Sequence, residues 1–229
     1  MSNDPAALGT QYSLKVNNQN SLLQTFVLFQ KMPVTSKPST DPISLAWIVG
    51  SAAGGSVSNP SISQFNWFID YSINAGYLQQ EGTSASPRKF QTATQIPVKV
   101  DDTNLVNVSY DGTFPNGAPY FDGVPGNTTS GIIAANSDDK IPTNAAASSA
   151  QMDLALGIAM NRKPAVSVQL LPNIDYVFTP HPEYYIMSAK YSEGDVIDIE
   201  ETSHAYKVEF DGVTDITLNF TEQNLFQQA

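Results

Sequence analysis

Residues 170–200 read LLPNIDYVFTPHPEYYIMSAKYSEGDVIDIE, and their punctuation sets the fold class. Tyr176 to Phe178 is a short run of strand formers after a Pro172-Asn173 turn signal. Pro180-His181-Pro182 then makes a stiff segment, because each proline fixes its own φ, lacks an N–H donor and disfavours helix at the residue before it. A central strand cannot run through such a segment, so an edge or a loop is expected. Tyr184 to Met187 resumes as a strand, Ser192 to Asp195 is a turn with Gly194 suited to positive φ, and Val196 to Glu200 reads as another strand. The stretch predicts three strands joined by a rigid proline loop and a tight turn. It carries no catalytic signature.

The rest of the chain repeats this grammar. Tyr12, Leu14 and Val16 alternate with polar residues, and Gln24 to Gln30 follows a turn at 17–20, which predicts a hairpin. The cleanest alternation is Phe65, Trp67, Ile69, Tyr71 and Ile73, read as one sheet-core strand. Trp47 and Trp67 are the best core markers. Pro97 places the strand 90–100 at a sheet edge. Leu105 to Tyr110 is a strand ended by Asp111-Gly112. Thr113 to Gly131, TFPNGAPYFDGVPGNTTSG, reads as a long functional or assembly loop, or a pair of small hairpins. Alanines 145–147 favour a short helical turn before strands at 154–160 and 166–170. Alternation at 206–210 and 216–220 around Asp211-Gly212 predicts a closing hairpin. Leu225 and Phe226 are expected to tuck onto the body or onto a neighbouring subunit.

About a dozen short strands with long Gly/Pro-rich loops and no alternating helices argue an all-β fold, a single-domain antiparallel β-sandwich. Residues 1–11 read as a mobile lead-in and 12–229 as the sandwich domain. At 229 residues, roughly 70% of the extended-chain surface is buried on folding, enough for a core without staples. There is no cysteine, hence no disulfide and no thiol metal site.

Charge and composition narrow the function. The net charge is −11, from 11 Lys+Arg against 22 Asp+Glu. Such a chain repels phosphate backbones and anionic lipid, so nucleic acid is not an expected partner. The N-terminus lacks the basic and apolar regions of a secretory signal, and no apolar run reaches the ~18 residues of a membrane span. Cytoplasmic synthesis is expected, with export by a non-classical route left open. Only 14% of residues are charged, and amides and hydroxyls fill the surface instead.

Two histidines, no G-x-S-x-G, no H-E-x-x-H and no phosphate-binding glycine loop leave an enzyme poorly equipped. No cofactor is expected. Asp122, Asp138 and Asp139 offer oxygens to calcium, but the spacing of a calcium loop is absent and solvated turn residues are the plainer reading, so no metal is expected. His181 and Glu183 lie two apart; the plainer reading is a polar loop residue and a solvated charge. Tyr176, Tyr184, Tyr185 and Tyr191 should divide between core and surface, as strand alternation requires. A tyrosine cluster beside a rigid loop also suits a sugar or protein contact. Tyr184, Tyr185 and Tyr120, with His181 beside them, are therefore the candidate ligand-binding residues for a saccharide.

FTPHPEYYIMSAKYSEGDVID, at 178–198, resembles the signature segment of the bacterial RhiA-like family. So do YSLKVNNQNSLLQTFVLFQKMP at 12–33, Leu45-Ala46-Trp47, and FNWFIDYSINAGYL at 65–78, in the family's order. The segment Asn116 to Ser149 carries none of the resemblance. The resemblance implies no enzymatic activity and no catalytic residues. It implies plant-associated bacteria, and with them a non-enzymatic protein of surface or host interaction. The alternative is a structural protein that self-assembles into a homo-oligomer through edge strands and long loops, with no small-molecule ligand.

Overall fold

A computed structural model describes residues 10–36, 41–83, 86–143, 151–197 and 204–229. Residues 1–9 of the expected lead-in at 1–11, the helical turn at 145–150 and the strand residues 198–200 lie outside the described residues, and Gln11 already belongs to a strand.

Alternating sequence becomes alternating burial, and the strands collect into four sheets. The first holds β1 (Gln11–Asn18), β6 (Ser61–Phe68), β17 (Asp215–Phe220) and β18 (Phe226–Gln228). The second holds β2 (Gln24–Lys31), β5 (Ala46–Ala52), β15 (Glu183–Ser188) and β16 (Tyr206–Val208). Their inner faces meet over Trp47, Trp67, Phe26, Phe65, Tyr184 and Phe220. The third holds β3 (Val34–Ser36), β9 (Leu105–Asp111), β10 (Ala118–Gly126), β11 (Ile133–Ser137) and β14 (Asp175–Phe178). The fourth holds β4 (Ile43–Ser44), β7 (Tyr71–Gln79), β8 (Phe90–Val98), β12 (Met152–Met160) and β13 (Lys163–Gln169). These two enclose Ile73, Val106, Val108, Leu156, Tyr176 and Phe178. The protein is all-β, built as two sandwiches. Most pairs are antiparallel, and β1–β17 and β9–β11 are parallel.

The chain crosses between the sandwiches at 31–34, 44–46, 68–71 and 178–183. Several local expectations change for that reason. The alternation at 65–73 is two strands: β6 ends at Phe68 and β7 begins at Tyr71 in another sheet, leaving Ile69 exposed between them. β1 and β2 do not form a hairpin. β1 pairs with β6 and β17, while β2 pairs with β5 and β15, so their connection is an arch between facing sheets. Likewise β16 joins β15, and the closing hairpin is β17 with β18. Within 113–131, read as a long loop or a pair of small hairpins, residues Ala118–Gly126 form β10, an edge strand returning along β9 as one hairpin. β8 is an edge strand and carries Pro97, as its missing N–H requires.

The proline loop is one of these crossings. Thr179 N donates to Pro33 O at 3.1 Å, and the Tyr71 hydroxyl donates to Pro180 O at 3.4 Å. Beside them the β12–β13 turn has Asn161 and Arg162 at φ 53° and 59°, the paired positive values of a tight hairpin. Asn161 N there donates to Asp70 Oδ1.

The described end of the opening stretch, up to Ile197, forms a strap across the fourth sheet. Gly194 takes φ 85°. Asp195 and Val196 make single bridges to Lys89 and Leu45, at opposite edges of the fourth sheet. Val196 N donates to Arg88 O at 2.7 Å and Ile197 N to Ser44 O at 3.0 Å, so the strap closes one end of that sheet into a ring. Buried Asp195 holds the turn by accepting from Ser192 N at 2.7 Å.

Candidate functional site

β15 follows directly from the proline loop, and its alternation separates the two adjacent tyrosines. Tyr184 points inward and is only 8% exposed. Its ring lies 5.3 Å from that of Trp67 and 5.7 Å from that of Phe210, and its hydroxyl reaches Met160 Sδ at 3.8 Å. Burial pushes its phenol up to about 12. A ring enclosed on these sides has no face for a sugar, so Tyr184 is a core residue.

Tyr185 points outward and is half-buried. It stacks on Phe29 at 5.5 Å, and Lys31 Nζ sits 4.7 Å from its ring centroid. Its hydroxyl donates to Glu183 Oε2 at 2.9 Å, and Glu183 pairs with Lys207 at 2.9 Å. Lys207 and the Tyr185 hydroxyl hold the Glu183 carboxyl below its usual range. This is a self-satisfied surface network. His181 is exposed, and Tyr120 is half-buried on β10 at the edge of the third sheet. The four expected ligand residues therefore do not converge.

Sequence reasoning missed a cleft of about 1500 Å³. It opens between the β1–β2 arch, the β7–β8 loop, the segment after β15 and the β17–β18 turn. Asn20, Gln24, Gln80, Glu81, Arg88, Ser188, Glu222 and Asn224 bring polar groups to it, and Tyr191 and Phe226 bring aromatic rings. Several walls are braced. Asn20 Nδ2 donates to Asn224 Oδ1 at 2.9 Å, the Ser188 hydroxyl to Gln24 Oε1 at 2.8 Å, and Gln80 Nε2 to Asp153 Oδ1 at 2.9 Å. These residues come from four distant parts of the chain, so no local motif announced them. Among the described residues, no group of three or more His, Asp or Glu gathers as a metal would need.

Fold and cleft together define an all-β protein with a braced, amide-lined depression walled by connections from both sandwiches. The chain belongs to the RhiA family, whose model matches residues 9–228. It is similar to Protein RhiA of Rhizobium leguminosarum bv. viciae, at 26% identity over 212 residues, covering 89% of this chain and 79% of that protein. No solved structure matches. The family match includes the 116–149 segment, where the resemblance read from motifs had nothing to offer.

Proposed function

We propose that this protein is a non-catalytic bacterial surface- or host-interaction protein that binds a neutral or weakly charged saccharide in the cleft beside β15. The observation that carries the reading is the cleft lining. Carboxamides, hydroxyls and carboxylates match the alternating donors and acceptors of sugar hydroxyls, and aromatic rings supply apolar faces for sugar C–H surfaces. Arg88 and Glu81 face the cleft from the β7–β8 side and Gln24 and Glu222 from the other, so a ligand several rings long would be gripped from both walls. The tyrosines singled out from the sequence as ligand contacts lie outside the cleft lining: Tyr184 is in the core and Tyr185 on the outer face of β15. Edge-to-edge self-assembly is the competing reading. Two of the longest edges carry devices that oppose it, Pro97 on β8 and the register break between Asp122 and Gly126 on β10.

The test is a glycan array followed by calorimetric titration of each hit against the wild type, Arg88→Gln and Glu81→Gln. A saturable hit weakened about tenfold by either change supports the cleft, since each removes a charge-assisted hydrogen bond. A hit indifferent to both changes places binding elsewhere. A blank array with concentration-dependent mass would leave self-assembly as the function.

A further inference from the structure

The end of the first sandwich beyond β1 carries an unusual surface. Three connections meet there, residues 19–23, 53–60 and 221–225, together with the start of β6. They are stitched rather than loose. Asn18, fully buried, donates to Leu22 O at 2.9 Å and Ala53 O at 2.7 Å. Asn20 reaches across to Asn224, and Gly55 N donates to Asn20 O at 2.8 Å. The chains pack so closely that a Cβ at Gly54 would lie 2.0 Å from Ser21 O, and one at Gly55 2.2 Å from Asn18 O. Only glycine fits there.

This braced end nevertheless presents Leu22, Leu23, Val57, Ile62 and Leu225, which are 66, 68, 72, 53 and 57% exposed. The other large exposed apolar residues of the described chain, Ile69, Val124 and Val213, lie apart from it. Single exposed apolar residues need no explanation, but five on one rigid end do.

We propose that this loop end docks onto a zwitterionic lipid surface, with the leucines and Val57 entering the acyl boundary. Three observations select that occupant. The exposed residues are all aliphatic, whereas protein-binding hot spots favour Trp, Tyr and Arg. The three connections hold one charged residue, Glu222, in a chain of net charge −11. The end is the part of the surface cleared of charge, while the acidic body opposes an anionic membrane and the loops lack the lysines that would reverse this. The stitching also means that little ordering entropy opposes docking. Leu22 also lines the cleft, whereas Val57 and Leu225 do not, so the V57S/L225S pair separates lipid docking from the saccharide reading.

The experiment is co-sedimentation of the full chain with phosphatidylcholine vesicles, with and without added phosphatidylserine, alongside light scattering of the protein alone. Wild type is expected to bind phosphatidylcholine with little dependence on salt, and to bind less well at low salt once phosphatidylserine is added. L22S/L23S and V57S/L225S should each lose at least about tenfold in affinity, since each removes two inserted side chains. Trp47 and Trp67 emission, both fully buried, verifies that the variants stay folded. L22W gives a gain-of-signal check, its emission shifting to the blue on adding vesicles. The proposal is overturned if wild type ignores phosphatidylcholine, if binding requires phosphatidylserine, if L22W does not shift, or if folded variants bind as wild type. It is also overturned if the loop end instead holds two copies of the chain together, read as a dimer that L22S/L23S dissolves.

Discussion

The Trp47 indole N–H donates to the carbonyl oxygen of Met160 at 2.8 Å, joining a core strand of one sandwich to the last residue of a strand in the other. The Met160 sulfur also accepts from Gln30 Nε2 at 3.7 Å and from the Tyr184 hydroxyl at 3.8 Å. One buried methionine thus collects three contacts where the sandwiches meet, next to the crossings at 68–71 and 178–183.

Met160→Ala should cost about 2–5 kcal/mol of stability, combining lost burial with a cavity and the loss of the two sulfur contacts, while the backbone carbonyl that receives Trp47 remains. Trp47→Phe keeps most of the ring and loses the N–H donor, so about 1–3 kcal/mol is expected, with a buried carbonyl left unpaired. Urea unfolding followed by circular dichroism measures both. A change under about 0.5 kcal/mol for Met160→Ala would mean that the junction carries no stability of its own.

Tyr184 separates scaffold from ligand contact. Tyr184→Ala should destabilise by about 3–5 kcal/mol, because it empties a site between Trp47, Trp67 and Phe210. Tyr184→Phe should stay within about 1.5 kcal/mol of wild type and bind ligand unchanged. If the phenylalanine variant folds normally and loses a saccharide ligand, the Tyr184 hydroxyl is a ligand contact and not the enclosed group described here.

Asn18→Ala should cost about 1–3 kcal/mol by stranding the buried Asn20 amide and removing the donor to two loop carbonyls. Its local signature is faster hydrogen exchange at Gly55 N and Asn20 N, with β9 and β12 amides unaffected. Uniform acceleration across the protein would show that the loop end has no separate stability.

The Glu183–Lys207 pair predicts a pH response. The carboxylate is favoured in the folded state, so its folded pKa lies below the ordinary value near ~4.3. The interaction is therefore present above the ordinary range and is lost as pH falls through the lower folded value. Lys207→Met should raise the Glu183 midpoint toward the ordinary value, with little change in stability because the pair is exposed. Carbon-detected NMR of the Glu183 carboxyl reads this directly, and an unchanged midpoint would exclude Lys207 as the cause.

Asp195 tests the strap. Asp195→Ala removes the acceptor for Ser192 N and should raise exchange at Gly194 and Val196, with a loss of about 1–3 kcal/mol. Protection unchanged at those amides would show that backbone bridges alone hold the strap.

Period-two alternation and Gly/Pro punctuation by themselves determined the class of this protein: strands throughout, Trp47 and Trp67 in the core, Pro97 at an edge, and a proline loop that no central strand could cross. The family was legible separately, through the resemblance of long local segments such as 178–198. What only the tertiary structure decided is which strand pairs with which. Alternation reports that a strand has one buried face and is silent about the sheet it joins, so 65–73 read as one strand while Phe68 and Tyr71 belong to different sheets. The adjacent tyrosines met the same limit, since nothing local says which of 184 and 185 faces inward until Tyr184 finds Val208 on one side and Gln30 on the other. The cleft and the apolar loop end were hidden for the same physical reason. Each is assembled from connections up to about 200 residues apart, brought together by strand pairings such as β1 with β17, whose free energy comes from burying two faces at once.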